Sequence, residues 1–209
     1  MKYLKIIIAF LLISHIAISQ ESNRSDYRTV FGNNKKVSHG GYGALTFGIG
    51  QIDGSQAIFT GIKGGWLIDH RLTLGIAGTG FVNNLHIDYG PGSVSSGLSG
   101  GYGGLLIEPI LAPFSPVHLT FPIIIGAGGI AYVDRYYWDN HSSYDPWVTD
   151  ADAFFVFEPG IELEMNLLRF LRLSVGASYR LTSDIKMENA KSDALNGLAG
   201  SFSLKFGKF

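Results

Sequence analysis

Nine charged residues recur on the polar faces of predicted strands and are candidates for a common site. They are four glutamates and five basic residues: Lys63, Arg71, Glu108, Glu158, Glu162, Glu164, Arg172, Arg180 and Lys205. Paired carboxylates can serve as general acid and general base in catalysis. Charged side chains enclosed in a protein interior instead neutralise one another, because buried charge persists only when it is paired. The fold decides between these two interpretations.

A second candidate site is the aromatic segment 135–150. It contains Tyr136, Tyr137, Trp138, Tyr144 and Trp147, together with Asp139, Asp145 and Asp150. Aromatic planes beside carboxylates suit sugar stacking or a loosely held Ca²⁺. Aromatic residues are also expected, with no ligand at all, in the interfacial belt of a membrane protein. We favour the belt, and we predict neither a metal nor a cofactor. The glycine run 100–104 is interpreted as strand, not as a phosphate loop, because no helix follows it.

The pattern that positions the glutamates is clearest between residues 154 and 181. Alternate residues of this stretch are uncharged and mostly apolar, and the intervening ones include Glu158, Glu162, Glu164, Arg172 and Arg180. A period of two predicts two antiparallel strands, each with one apolar and one charged face. In this hairpin we expect Glu164 near Arg172 and Glu158 near Arg180, with Lys63 of another strand completing the set.

The same alternation predicts eight strands in all. They cover residues 39–52, 56–68, 71–83, 98–111, 117–134, 154–166, 171–181 and 195–209. The connections after the second, fourth and sixth strands are short, whereas those after the third, fifth and seventh are long, at 84–97, 135–150 and 182–194. The pattern predicts an all-β, eight-stranded antiparallel up-and-down barrel with both termini on the short-turn side. The first outer connection, at Asp53-Gly54, is unexpectedly short.

Composition and the N-terminus limit where such a barrel is located. The 209 residues include no cysteine, which excludes a disulfide scaffold, a cysteine-ligated metal and a thiol nucleophile. The sequence has no basic patch of the kind that binds nucleic acid. Residues 1–19 combine Lys2 and Lys5 with an apolar run and small residues, which is typical of a secretory signal peptide, and the run is too short for a spanning helix. We therefore predict a signal peptide at 1–19, a polar N-terminal tail at 20–38 and one barrel domain at 39–209.

The two faces of the strands predict which side contacts lipid. The face that carries the charges is also rich in Gly, Ala, Ser and Thr, and the opposite face is Leu, Ile, Val and Phe. A soluble ligand-binding barrel turns its bulky apolar residues inward. Small residues suit a narrow interior, and about a dozen residues per tilted strand suffice to cross the hydrocarbon. We therefore predict a transmembrane barrel with its apolar face in lipid and its charges in the lumen.

These features resemble the small outer-membrane β-barrels of Gram-negative bacteria, of the outer-membrane protein A and X type. The resemblance covers about residues 41–209 and is architectural. It implies an outer-membrane location, contact with outer-membrane lipid and with the barrel assembly machinery, and a monomer. One feature departs from the family: Phe202, Leu204 and Phe206 are out of phase with the final Phe209. Either a bulge near Gly207 restores the phase, or the assembly machinery recognises the earlier residues.

The resemblance also raises an enzymatic alternative. Outer-membrane enzymes of this size, the lipid A acylase and deacylase types, use a Ser/His pair with a carboxylate. His86 and His141 lie in predicted outer loops near Ser93, Ser95, Ser142 and Ser143, but no family motif surrounds them. We therefore predict a non-enzymatic barrel with a charge-plugged lumen and an envelope structural or surface-interaction role through its outer loops. The alternatives are an outer-leaflet lipid-modifying enzyme and a narrow small-solute channel.

Overall fold

The computed structural model describes residues 37–83, 94–136, 145–188 and 190–209. The predicted signal peptide (1–19) and all but the last two residues of the predicted tail (20–38) lie outside the described residues. Within the described ranges, no helix is long and apolar enough to cross a membrane.

Nine strand segments form one closed sheet. Their bounds are β1 His39–Ile52, β2 Ser55–Ile68, β3 Leu72–Asn83, β4 Val94–Leu111, β5 Val117–Thr120, β6 Ile123–Tyr136, β7 Asp145–Leu168, β8 Leu171–Thr182 and β9 Gly197–Lys208. All pairings are antiparallel. β1, the first strand, pairs with β2 and also with β9, the last strand, so the sheet closes on itself. Closure leaves no edge strand along the body of the barrel, as a spanning β-structure requires.

The four-residue segment β5 and the longer β6 are two parts of one strand. Both pair with β4 and with β7, and the register is the same on either side of the break. The break falls at Pro122, which has no N–H to donate to a ladder. Phe121 N still donates to Pro109 O at 2.9 Å, and Gly160 N donates to Pro122 O at 2.8 Å. Counted as one strand, β5 and β6 give a ring of eight, and the predicted eight-stranded antiparallel up-and-down barrel is confirmed.

The strand register fixes the tilt of this barrel. A line drawn from each residue to its register partner on the next strand goes once around the ring. It leaves β7 at Ala151 and returns to β7 at Ile161, ten residues further along the strand. The path runs through Ala151, Ala131, Ser99, Val82, Ile58, Ile49, Gly200, Ala177 and Ile161. With a strand spacing of about 4.8 Å and a rise of about 3.3 Å per residue, this stagger over eight strands gives a tilt of about 41°, as in other closed barrels. A line through paired residues therefore moves toward the outer end of the barrel as it passes from β1 through β2, β3, β4 and β6 to β7.

Three strands extend further outward than the alternation predicts. β4 begins at Val94 rather than residue 98, β6 ends at Tyr136 rather than residue 134, and β7 begins at Asp145 rather than residue 154. These added residues carry little apolar alternation, yet they pair with one another across β4, β6 and β7. Pairing between backbones, which side-chain patterns do not reveal, therefore sets the ends of these strands.

The exterior of the ring is an apolar belt. Large apolar side chains that are 63–74% exposed occur on six strands: Ile49, Ile62, Ile76, Leu105, Phe155 and Leu198. Exposed aromatic residues follow toward the short-turn end, at Trp66, Phe114 and Phe170. An exposed apolar surface of this extent is unfavourable in water and suits a bilayer. The predicted lipid-facing orientation of the apolar face is therefore confirmed.

Candidate functional site

A cluster of charged side chains crosses the lumen near the short-turn end, here called the inner end. We call it the inner charge cluster, and it comprises Lys63, Glu108, His118, Glu162, Glu164, Arg172 and Lys205, all buried. Its members come from β2, β4, β5, β7, β8 and β9, and Tyr42 of β1 donates a hydrogen bond to Glu108 at 3.0 Å. Together with Tyr42, the cluster connects every strand of the ring except β3.

Lys205 lies at the centre of this cluster. Its Nζ is 2.9 Å from Glu108 Oε1, 3.3 Å from Glu162 Oε2 and 2.5 Å from Glu164 Oε2. One ammonium group therefore contacts three carboxylates that come from two different strands. Lys205 donates a hydrogen bond to Glu108, and its contacts with Glu162 and Glu164 are ion pairs.

The remaining cations of the cluster balance its charge. Lys63 Nζ lies 2.5 Å from Glu162 and 3.5 Å from Glu108. Arg172 donates to Glu164 Oε1 at 2.8 Å, so the structure brings together the expected pair of Glu164 and Arg172. Three carboxylates thus meet three cations, and His118 Nε2 lies 3.1 Å from the same Glu164 oxygen. Buried charges persist when they are paired in this way.

The final residue closes the inner end of the lumen. Phe209 lies in phase with the lumen-facing residues of β9, and the Arg172 guanidinium carbon is 3.8 Å from the centre of its ring. The ring also stacks on Tyr42 at 6.0 Å. The pairing of β9 with β1 continues regularly through Gly207, so the suggested bulge there is not present. Phe209 is out of phase with the lipid-facing residues because it caps the charge cluster.

Two predicted members of the lumen network are placed differently. Arg71 lies at the β2–β3 turn with a side chain that is 68% exposed, 3.9 Å from Asp69, so its assignment to the lumen is wrong. Arg180 is buried, but it forms no ion pair with Glu158 among the described residues, which corrects the expected pair. Its Nε donates to Leu195 O at 2.7 Å, and its guanidinium lies 4.6 Å from the centre of the Phe59 ring. Glu158 instead accepts from Tyr102 at 2.5 Å and from Ser178 at 2.6 Å.

The connection between β8 and β9 covers the outer end of the lumen. We call residues 183–196 the lid, of which all but 189 are described. Its apolar side chains Ile185, Met187 and Leu195 are buried in one cluster with lumen-facing residues, among them Phe59, Phe81, Leu98, Tyr102, Ile130 and Phe154. The strand pattern predicts only a long outer connection at 182–194, whereas the structure folds this stretch into the lumen. The isolated apolar residues in its charged sequence were the signal that it folds inward.

Two aspartates fasten the lid to the outward extension of β7. Asp152 accepts from Ala153 N at 2.8 Å and from Lys186 N at 2.6 Å, through different oxygens. Asp150 accepts from Ala151 N at 2.8 Å and from Glu188 N at 3.0 Å in the same manner. Each carboxylate thus bridges a backbone N–H of β7 and one of the lid. This aspartate latch satisfies N–H groups that an unpaired strand would leave available to another chain.

A cavity of about 70 Å³ lies in the lumen between Phe59 and Tyr102, which pack in one cluster with the lid, and Lys63 and Glu162 of the inner charge cluster. Its lining includes Thr46, Lys63, Thr79, Tyr102, Glu158, Glu162 and Ser178. The volume has room for a few water molecules, which need about 10–15 Å³ of such space each and several polar partners. The lumen therefore has room for water between the lid and the inner charge cluster.

The aromatic and Ser/His candidates fall largely outside the described residues. This applies to Tyr137, Trp138, Tyr144, His86, His141, Ser93, Ser142 and Ser143. Tyr136 and Trp147 lie in the paired extensions of β6 and β7, and Ser95 lies in β4. No group of His, Asp or Glu in the described ranges is arranged to hold a metal ion. His118 contacts Glu164 and Ser115 O, so it is held by the inner charge cluster.

Comparison with known proteins gives similarity in fold. No protein-family model and no curated protein sequence matches the chain. The barrel is similar to Neisserial surface protein A, with 16% identity and a TM-score of 0.43 over 84% of this chain and 100% of that chain. It is similar to Ail, the attachment invasion locus protein of Yersinia pestis in complex with the heparin analogue sucrose octasulfate, with 10% identity and a TM-score of 0.42 over 81% and 96%. The outer membrane enzyme PagL gives 12% identity and a TM-score of 0.39 over 79% and 98%.

The chain's own geometry identifies its class. Its closed ring of eight tilted strands exposes a belt of large apolar side chains. The charged side chains of the inner charge cluster are turned into the lumen and paired there. In outer-membrane barrels the lipid-facing and lumen-facing residues alternate in this way, with short inner turns. The protein is therefore a small eight-stranded transmembrane β-barrel of the outer membrane.

Proposed function

We propose that the protein is a non-enzymatic, monomeric outer-membrane barrel with a closed lumen, inserted by the barrel assembly machinery. It acts as an envelope structural or surface-interaction protein through its outer loops. The observation that carries this proposal is the closure of the lumen at two levels, by the lid and by the inner charge cluster. Eight strands enclose an interior that side chains are able to fill, unlike the open channel of a large porin.

The chemistry of the lumen supports a structural role for its carboxylates. Glu108, Glu162 and Glu164 are buried, and each already contacts at least one cation. A general acid or base needs to reach a proton of the substrate. The lid covers one end of the lumen, and Phe209 packs at the other. The carboxylates therefore hold the strands together and have no access to a substrate.

Conductance tests the closed lumen. Purified protein is reconstituted into planar bilayers, after folding is checked by a shift in gel mobility between unboiled and boiled samples. We expect little single-channel current, because both layers obstruct the path. Steady ohmic conductance from the unmodified protein would contradict the proposal and favour the narrow channel.

Glycan binding tests the surface-interaction role. Trp138 and Trp147 are replaced together by Ala, and binding of the immobilised protein to a panel of glycans is compared with that of the unmodified protein. If the aromatic segment binds sugar, the double variant loses binding and still folds. Trp66→Ala is the matched control, because Trp66 is an exposed tryptophan at the inner end of the barrel, away from the outer aromatic segment. Loss of folding in the double variant would instead support the interfacial belt.

A further inference from the structure

A groove runs along the outside of the barrel where the β1–β2 hairpin, the lid and β9 meet. Its volume is about 870 Å³, within the range of small-molecule sites. We call it the rim groove. Ile49 and Leu198 flank the part of the groove nearer the inner end of the barrel, here called its lower part; the part nearer the Asp53–Gly54 turn is its upper part. Both residues are among the most exposed apolar residues of the belt. Gly200 lies directly opposite Ile49 in the β1–β9 register and two residues from Leu198, and an added Cβ there would meet no atom within 4 Å. The lower part is therefore an open apolar notch at the lipid-facing surface.

The upper part of the rim groove is polar. Ile49 pairs with Ile58 across the hairpin, and the next outward-facing pair is Gln51 with Gln56. Asp53 and Gly54 then close the hairpin with φ of 50° and 75°, the left-handed values of a two-residue turn. The change from isoleucine to glutamine within two residues marks the boundary between hydrocarbon and headgroups. The rim groove crosses that boundary.

The charges around the upper part favour one class of headgroup. Lys191 is the cation that lines the rim groove in the described residues, and its Nζ lies 3.7 Å from Asp53. Asp193, Gln51, Gln56 and Asn196 add carboxylate and amide groups. A phosphate headgroup would meet two carboxylates and an already paired lysine. Sugar hydroxyls, which both donate and accept, match carboxylate and amide partners.

We propose that the rim groove binds one outer-leaflet lipid with a sugar headgroup. The acyl chain lies over Gly200 between Ile49 and Leu198, and the sugar hydroxyls bind the amides and carboxylates above them. A water-soluble sugar would leave the apolar notch uncovered, whereas a lipid fills both parts. This site is independent of whether the lumen conducts, since it lies on the outside of the barrel.

Binding at this site stabilises the lid. One wall of the rim groove is formed by lid residues, including Lys191 and Ala194, and the other by the barrel. Asp53 N donates to Ala194 O at 2.8 Å, which ties the two walls together. A lipid that contacts both walls favours the closed lid by mass action.

The test compares two lipids with identical acyl chains, a diacylglycerol glucoside and a phosphatidylglycerol. Each is mixed with the folded protein in detergent, and the retained lipid is counted by native mass spectrometry. The glucoside is expected to remain bound at one per chain and to slow hydrogen exchange of residues 183–196, and phosphatidylglycerol to dissociate. Equal retention of the two lipids would overturn the sugar specificity.

Two tryptophan variants locate the site. Gly200→Trp fills the notch and is expected to weaken retention of the glucoside at least tenfold. Gly43→Trp is the matched control, because Gly43 is also exposed on a strand and an added Cβ there also meets nothing within 4 Å. A third variant combines Gln51→Ala with Gln56→Ala and leaves the apolar notch at Gly200 intact. It should no longer retain the glucoside in preference to phosphatidylglycerol. Equal glucoside retention by the unmodified protein and both tryptophan variants, each shown to fold by gel mobility, would exclude the rim groove as the site.

Discussion

Glu158 and Arg180 lie opposite each other in the register of β7 and β8, yet their charged groups bind different partners. The flanking pairs Phe157–Leu181 and Gly160–Ser178 fix this register. Arg180 Nε donates to the lid carbonyl of Leu195, and Glu158 accepts from two hydroxyl groups. Arg180 Nη1 is buried with no hydrogen-bond partner among the described residues. Arg180 thus joins the barrel wall to the lid.

Double-mutant cycles separate the two arginines of β8. Arg172 and Glu164 are in contact at 2.8 Å, so we expect a coupling energy of about 1–3 kcal/mol in that cycle. The cycle of Arg180→Ala with Glu158→Gln should give a clearly smaller value. The free energy of unfolding is measured by urea denaturation in lipid vesicles. A coupling between Arg180 and Glu158 as large as that between Arg172 and Glu164 would contradict the assigned contacts.

Lys205 should be the most sensitive position of the inner charge cluster. Lys205→Met keeps much of the side-chain volume and leaves three buried carboxylates short of a cation, which should cost about 3–5 kcal/mol. Adding Glu164→Gln should recover part of that loss, because it removes one of the three charges. Arg71→Met is the control and should change the free energy of unfolding by no more than about 0.5 kcal/mol, since Arg71 is exposed. Equal effects of Lys205→Met and Arg71→Met would show that the lumen charges are not energetically coupled.

The barrel itself was predictable because the sequence alternates strictly along its strands. Apolar residues such as Ile161 and Leu163 face lipid, whereas Glu162 and Glu164 face the lumen, and this contrast needs no tertiary information. The outward extensions of β4, β6 and β7 were missed because they are held by backbone pairing above the apolar belt. There, neither face has to be apolar.

The lid could not be predicted from alternation, since it is not a strand. Residue spacing placed Arg180 beside Glu158 correctly in register. It gave no information about Leu195, whose carbonyl is brought to Arg180 by the fold of the lid. Arg71 was misplaced for a related reason: its phase is that of a lumen residue, but the strand begins one residue later, at Leu72.

The aspartate latch predicts how the lid responds to pH. Hydrogen bonds from the backbone N–H groups of Lys186 and Ala153 hold the pKa of Asp152, which lies in the outward extension of β7, below its usual value. A lowered pKa means that the stabilisation is complete above the pKa of an unperturbed aspartate and is lost as the pH falls through the lowered value. We therefore expect a high protection factor for the Lys186 N–H at neutral pH and a lower one only in acid, measured as the intrinsic exchange rate at each pH divided by the observed rate.

Substitution tests the same latch at constant pH. Asp152→Ala removes both accepted hydrogen bonds and should increase hydrogen exchange across residues 183–188 at neutral pH. Asp152→Asn keeps one oxygen acceptor and should give a smaller increase. Asp69→Ala, at the inner end of the barrel, is the control and should leave the lid unchanged. An unchanged exchange rate in Asp152→Ala would show that Asp152 does not hold the lid.

The two closed layers of the lumen act in series, which gives a specific prediction for conductance. Deleting residues 184–194 and bridging the gap with glycines removes the lid but leaves the contacts of Lys205 with three carboxylates. Replacing Lys205, Glu108 and Glu162 together by Ser clears part of the inner charge cluster, yet Ile185, Met187 and Leu195 still fill the outer end. Each variant alone should therefore conduct little, since one intact layer suffices to block ions.

The combined variant distinguishes this arrangement from a single plug. With both layers opened, the cavity between them connects to each side of the membrane, and we expect a measurable ohmic conductance in planar bilayers. Gel mobility before and after boiling shows whether each variant has folded, because a closed barrel with all backbone bonds satisfied resists unfolding in detergent. If loss of the lid alone gives full conductance, the inner charge cluster is not a barrier to ions. If replacement of the three charged residues alone gives full conductance, the lid does not seal the outer end. In either case only one layer closes the lumen.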